Sequence, residues 1–295
     1  SSDTLTVSSG GSINYSGTMA VKKSAGWNGT ETYPCSPNTL TNAGTISSTR
    51  DTIYAPYTKC FNINNSGTIS SSSYQALKFD NSFDDLTITN SGTISSTTYR
   101  TINIRDADDV VINNSGTISG TEQVIYAHNT DNLTITNSGA ISASAATNGG
   151  AIYHSVSGTL KITNTSSGTI TSSNNIPIHA YTYNTNAFIL DNAGTINGLL
   201  GSNLVTSSQT ITNSGTLNNN SGSVLYINKN TQSGSVTITN SGTISSTSDS
   251  PLALMSDNLT LTNTGTISST NNDALQNIAY SMEPNQKWKD SIEKT

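Results

Sequence analysis

One phrase, Asn-Ser-Gly-Thr-Ile and its near variants, recurs from one end of this 295-residue chain to the other. Aligned on its glycine, it falls at Gly11, Gly44, Gly67, Gly92, Gly116, Gly139, Gly168, Gly194, Gly215, Gly242 and Gly265, with successive intervals of 21 to 33 residues. Gly17 stands in a similar phrase but only six residues after Gly11, off the register. A period of roughly 20–50 residues is the signature of a solenoid or a propeller, and it constrains the fold more than composition does.

Within each repeat apolar residues alternate with polar ones, as in a strand with one buried face. Before the glycine stand pairs such as Leu86/Ile88, Val110/Ile112, Leu133/Ile135 and Val236/Ile238. Two residues after it comes an isoleucine or leucine, from Ile46 and Ile69 to Leu217 and Ile267. A third alternating segment follows, as in Leu77/Phe79, Ile102/Ile104, Ile125/Ala127 and Leu252/Leu254. Segments this short bury nothing alone, but stacked repeats bury a continuous narrow core. The spacing predicts an all-β fold, a right-handed parallel β-helix (solenoid) of about eleven coils with three short strands per coil, over residues 1–282. Residues 283–295 are polar and charged, with Trp288 and Ile292 four apart. They are expected to form a C-terminal tail, a cap or linker helix.

Composition fits a thin core. Ser, Thr and Asn supply 132 of the 295 residues, and only 32% are hydrophobic, against roughly 45–50% apolar, glycine included, in an ordinary globular domain. Disorder is disfavoured by 6 Pro, 4 Glu and a net charge of -6. No stretch approaches the roughly 20 apolar residues of a membrane helix. No charged segment leads into an apolar one as in an export signal. The balance is acidic and shows no Lys/Arg cluster, so nucleic acid is not an expected partner. The expectation is an exported protein whose signal has been removed and which does not itself insert into a membrane.

Asn42, Asn65, Asn90, Asn114, Asn137, Asn192, Asn213, Asn240 and Asn263 all stand two residues before a repeat glycine. Stacked at a corner, each amide can donate to the next and form a ladder. The glycine is expected to supply an unusual backbone angle there.

The Asn-Ser-Gly-Thr-Ile-Ser phrase resembles the passenger repeats of bacterial type V autotransporter adhesins, over roughly residues 3–270. That resemblance implies a right-handed parallel β-helix, and secretion or display at the bacterial cell surface, on the exterior of the outer membrane. It also implies adhesion or aggregation through a host or neighbouring-cell surface, glycan or protein. The outer-membrane barrel that follows such passengers is not in this sequence, so a passenger or a fragment of one is expected. The alternative is a structural subunit assembling head-to-tail into a filament or surface layer. The stretch Asp3-Thr-Leu-Thr-Val7 already matches Asp131-Asn-Leu-Thr-Ile135. The N-terminal coil edge is therefore expected to be uncovered and to template self-association. A polysaccharide-cleaving or ice-binding β-helix is a weaker reading. The Thr-X-Thr pairs (Thr87/Thr89, Thr237/Thr239) that suggest ice binding are interrupted by Asn62/Asn64 and Lys161/Thr163.

No enzyme is expected, because no catalytic constellation stands out. Tyr54, Tyr126, Tyr153 and Tyr226 should share an outward register on the third strand, with Lys78, Asn103 and His179 between them. Rings on a polar wall stack on sugars or anchor protein interfaces, and they are the candidate ligand-binding residues. Asp84, Asp108 and Asp131 each stand eight residues before a repeat glycine. They form a turn entering the first strand, a Ca2+ site or paired acids acting on a polysaccharide; Ca2+ is the one cofactor considered. His128, His154 and His179 read as scattered surface residues. Cys35 and Cys60, the only cysteines, stand nine and seven residues before successive glycines. That places them at nearly one angular position on adjacent coils and predicts a disulfide.

Overall fold

The computed structural model describes residues 3–23, 37–80, 83–145, 150–155, 158–185, 187–200, 203–206, 208–227, 235–254 and 258–276. They form an all-β parallel solenoid with no helix among them, hence none long and apolar enough to cross a membrane.

The segment after each repeat glycine forms the second face. It is an eleven-stranded parallel sheet built from strands such as Thr45–Ser48, Thr68–Ser71 and Thr93–Ser96. Its inward isoleucines lie in strict register: Ile46 on Ile69, Ile69 on Ile94, Ile94 on Ile118. The first face stacks the strands that precede the glycine, such as Cys60–Asn65 and Thr159–Asn164. The third face includes Asp51–Tyr54, Leu77–Phe79 and Ile152–Ser155. Every pairing joins a segment to its counterpart in the next repeat, so alternation within a strand becomes a column along the axis. The core is one residue deep per strand. Ile88, Ile94 and Ile104 are fully buried, and Phe61 and Phe79 meet at 6.1 Å between ring centres.

The expected separation of strands fails in two places. Ile102–Asn114 and Ile125–Asn137 are single strands of 13 residues, each carrying the third face of one repeat into the first face of the next. The chain turns inside them at Asp106 (φ 57°) and Asn129 (φ 56°). Tyr57 (φ 53°) sits at the equivalent corner of an earlier repeat. Left-handed backbone is costly for most side chains but tolerated by Asp and Asn, so two of these three corners carry those types. Asp84, Asp108 and Asp131 therefore lie within strands, not in the turn expected of them; the bend in the latter two repeats comes two residues earlier.

The asparagine ladder is present and has one more member than the motif indicated. Nδ2 donates to Oδ1 from Asn42 to Asn65, on to Asn90, Asn114, Asn137, Asn164, Asn192, Asn213, Asn240 and Asn263, at 2.7–2.8 Å throughout. Backbone bonds complete the corner: the Asn42 carbonyl accepts from Ser66 and Gly67 N–H.

The repeat glycines do not serve the purpose expected of them. None of Gly44, Gly67, Gly92 or Gly116 has a left-handed φ. What excludes a side chain is the neighbouring coil. A Cβ on Gly116 would lie 2.1 Å from the carbonyl oxygen of Gly92, and one on Gly92 equally close to that of Gly67. Close approach of backbones, not backbone angle, fixes glycine here.

Candidate functional site

The first two faces repeat mostly small polar residues outward, Val111, Lys161 and Ile189 of the first face excepted. The third face and the corner leading into it do not, and there the larger polar and aromatic side chains gather. In-register pairing gives the outward column Lys22, Tyr54, Lys78, Asn103, Tyr126, Tyr153, His179. All four tyrosines expected to align share this register: the bridges from Ile178 to Leu200 and from Leu200 to Leu225 carry it past His179 to Tyr226, which pairs with Ala253 and makes no ring contact among the described residues.

The corner preceding the third strand adds residues that sequence reasoning missed. Arg50, Tyr74 and Tyr99 each stand three residues before the paired positions Ile53, Leu77 and Ile102, so they stack as a second column. Arg100 crosses from that column to the first. The contacts are continuous. The Arg50 guanidinium lies 4.4 Å from the Tyr74 ring centre, and Tyr74 lies 5.8 Å from Tyr99. Arg100 sits 5.2 Å from Tyr99 and 3.5 Å from Tyr126. Tyr126 stacks on Tyr153 at 4.9 Å with the rings 7° apart, and His179 meets Tyr153 edge-on at 5.4 Å. This ribbon of rings and cations crosses six successive repeats, roughly 24 Å at ~4.8 Å per strand.

Its geometry alters the reading of the tyrosines. Arg100 belongs to the repeat before Tyr126 and Tyr153 to the repeat after it, so they cover opposite faces of the Tyr126 ring. That ring has no free face on which a sugar can stack. These contacts leave the edge and the hydroxyl of the Tyr126 ring uncovered by either partner. Burial raises the Tyr153 hydroxyl pKa above the ordinary phenol value. Burial also raises that of Tyr54, with the Asp80 carboxylate adding to the effect.

Near Tyr54 the charges are compensated. Lys78 lies 4.9 Å from the Tyr54 ring centre, between Asp51 at 3.6 Å and Asp80 at 3.4 Å. Further along, Arg100 donates its Nε–H to Gln123 at 3.1 Å.

The acidic column is a stack of carboxylates. Pairing of Asp85 with Asp109 and of Asp109 with Asn132 places Asp84, Asp108 and Asp131 in one register. Asp84 is paired with Lys59 at 3.6 Å. Burial, followed by repulsion from Asp84 and Asp131 on either side, raises the Asp108 pKa. Among the described residues no three His, Cys, Asp or Glu side chains converge as a metal site.

The histidines divide. His128 is exposed and lies 6.0 Å from Tyr126. His179 is partly covered, and burial lowers its pKa. His154 is not a surface residue as expected. It pairs with Ala127 and Ala180 on the inward side and is fully buried, and burial lowers its pKa to about 4. Its alternation with Ile152 carries it inward, and the two alanines leave room for the ring. Cys60 is disulfide-bonded; Cys35, the partner expected from the sequence, lies outside the described residues, as does the tail 283–295.

Compared with protein-family models, curated proteins and solved structures, the chain matches none.

Proposed function

We propose that this chain is the passenger of a bacterial type V autotransporter, secreted or displayed at the cell surface, and that it acts as an adhesin without catalysis. The observation that carries this reading is the ribbon from Arg50 to His179, an irregular, side-chain-rich strip on an otherwise uniform solenoid. Function concentrates where a repeated scaffold departs from its own pattern, because the uniform faces already serve stacking. An elongated surface of polar edges suits extended contact with another surface better than it suits enclosure of a small substrate. On this reading the solenoid is right-handed, as connections between parallel strands nearly always are. It has eleven coils of three strands, one coil for each strand of the second face.

Display of the chain on a non-adherent bacterium tests the proposal. Attachment to host or bacterial cells, or settling of the culture, should appear with the chain and vanish when Arg50, Arg100, Tyr126 and Tyr153 are replaced together. Adhesion that survives those replacements would place the function elsewhere, and no adhesion at all would remove the reading.

A further inference from the structure

We infer that the ribbon binds an extended acidic glycan, a polysaccharide bearing carboxylate or sulfate groups, laid along the solenoid axis across the repeats from Arg50 to His179. The inference rests on the adhesive reading above and names the ligand class for that same face.

The arginines carry it. The chain has three, Arg50, Arg100 and Arg105; two guanidinia lie over a tyrosine, Arg50 over Tyr74 at 4.4 Å and Arg100 over Tyr126 at 3.5 Å, while Arg105 stands 5.9 Å from the centre of Tyr126. Among the described residues none of them pairs with a carboxylate, although the protein is net acidic. The carboxylates close by have other partners. Asp51 and Asp80 face Lys78, and Asp106 accepts from the Asn129 amide. A guanidinium stacked on a ring keeps its N–H donors in its own plane, pointing past the ring edge. Those donors form the fork that matches a carboxylate or sulfate in two parallel bonds. Stacking also holds the fork in place before any ligand arrives, which lowers the entropic cost of binding.

Length and repeat fit a sugar chain. Successive rungs of the ribbon are ~4.8 Å apart along the axis, close to the length of one sugar ring in an extended polymer. Arg50 and Arg100 are two repeats apart, the span of two such rings. The occupied faces of Tyr126 argue against stacking of neutral sugars, and the phenol and guanidinium edges offer hydrogen bonds to hydroxyl and acid groups. A protein partner fits less well. Backbone groups on this face are engaged between coils, which leaves no free strand edge along the ribbon for a partner strand to join.

Binding of the full chain to polygalacturonate (carboxylate only), heparin (sulfated) and dextran (neutral) by calorimetry tests this. At least one acidic polymer should bind, with affinity falling as salt rises, while dextran stays silent; the tighter of the two identifies the acid group. The variant carrying Arg50→Gln, Arg100→Gln and Arg105→Gln should bind at least about tenfold more weakly with an unchanged β spectrum. A charge-matched control with Lys23→Gln, Lys59→Gln and Lys161→Gln should bind as the parent does. Equal binding of dextran, equal loss in the two triple variants, or no binding of either acidic polymer would overturn the inference. Displaying cells that still adhere while neither acidic polymer binds would overturn this inference and leave the adhesive reading standing.

Discussion

Asn137 donates its side-chain amide to Asn164 at 2.8 Å, the same bond that joins Asn114 to Asn137, although Asn164 stands four residues before its glycine and Asn137 only two. The two extra residues are taken up in a turn closed by Gly168 N–H on the Thr165 carbonyl at 2.8 Å. The ladder keeps its register and the corner absorbs the insertion. Asn164→Ala should therefore cost as much as Asn114→Ala, about 1–3 kcal/mol each, because either takes the ladder donor from the buried Oδ1 of the next asparagine, while the preceding asparagine keeps its bonds to backbone carbonyls. Urea unfolding of the two variants measures this. An Asn164→Ala midpoint equal to that of the parent would show that the bond is dispensable.

Gly116 and Gly222 make a matched pair for the role of close approach. A Cβ on Gly116 meets the Gly92 carbonyl oxygen at 2.1 Å, whereas one on Gly222 finds its nearest neighbour, Asn219 Nδ2, at 3.6 Å. Neither glycine has a left-handed φ. Gly116→Ala should destabilise by about 2 kcal/mol or more as the coils are forced apart. Gly222→Ala should be neutral or stabilise by about 0.4–1 kcal/mol, through a less flexible unfolded chain. Equal melting temperatures for the two variants would contradict the steric account.

His154 should make the protein sensitive to acid. Its imidazole ionises near pH 4 when folded and near the ordinary value of ~6.5 when unfolded. Between those values the unfolded chain binds more protons. Its contribution is thus intact above about pH 6.5 and is lost as pH falls toward 4, by up to about 3 kcal/mol. His179, also lowered by burial, acts in the same direction. His154→Leu should flatten the pH dependence of urea midpoints between pH 7.5 and 4.5. An unchanged slope would mean that the ring is protonated without unfolding.

Asp108 should act in the opposite sense. Burial and the carboxylates on adjacent repeats hold its pKa above the ordinary aspartate value. The folded state is therefore penalised at neutral pH, and the penalty is relieved as pH falls through the raised pKa. Asp108→Asn should stabilise slightly at pH 7, by less than about 0.5 kcal/mol because the group is largely solvated, and the gain should disappear near pH 3. A loss of stability at pH 7 would show that the carboxylate has a partner worth more than the repulsion.

The solenoid, its two uniform faces and all but one rung of the ladder were legible in the sequence, because alternation and a fixed phrase report directly on strands and stacking. The candidate site was only half legible. Counting from each glycine to the third strand gives 9, 10, 10, 9 and 13 residues for Ile53, Leu77, Ile102, Ile125 and Ile152. Alignment on the glycine therefore scatters the columns of the third face, and Arg50, Tyr74 and Tyr99 drop out of view. Alignment on the third strand itself would have found them. His154 was misplaced for another reason: its polarity outweighed its alternation with Ile152. The glycine role could not be read at all, because the distance from one backbone to the next is a property of stacking and leaves no mark on the local pattern.

Each rung of the asparagine ladder presents the same donor upward and the same acceptor downward. One repeat can therefore be excised or copied in frame, and the two repeats brought together would meet through the bonds they already use. Such a change beyond His179 would shorten or lengthen the molecule and leave the ribbon whole, while one between Tyr74 and Tyr153 would sever it. Reach and recognition are thus written in separate stretches of the gene, and recombination between repeats can vary the first without touching the second.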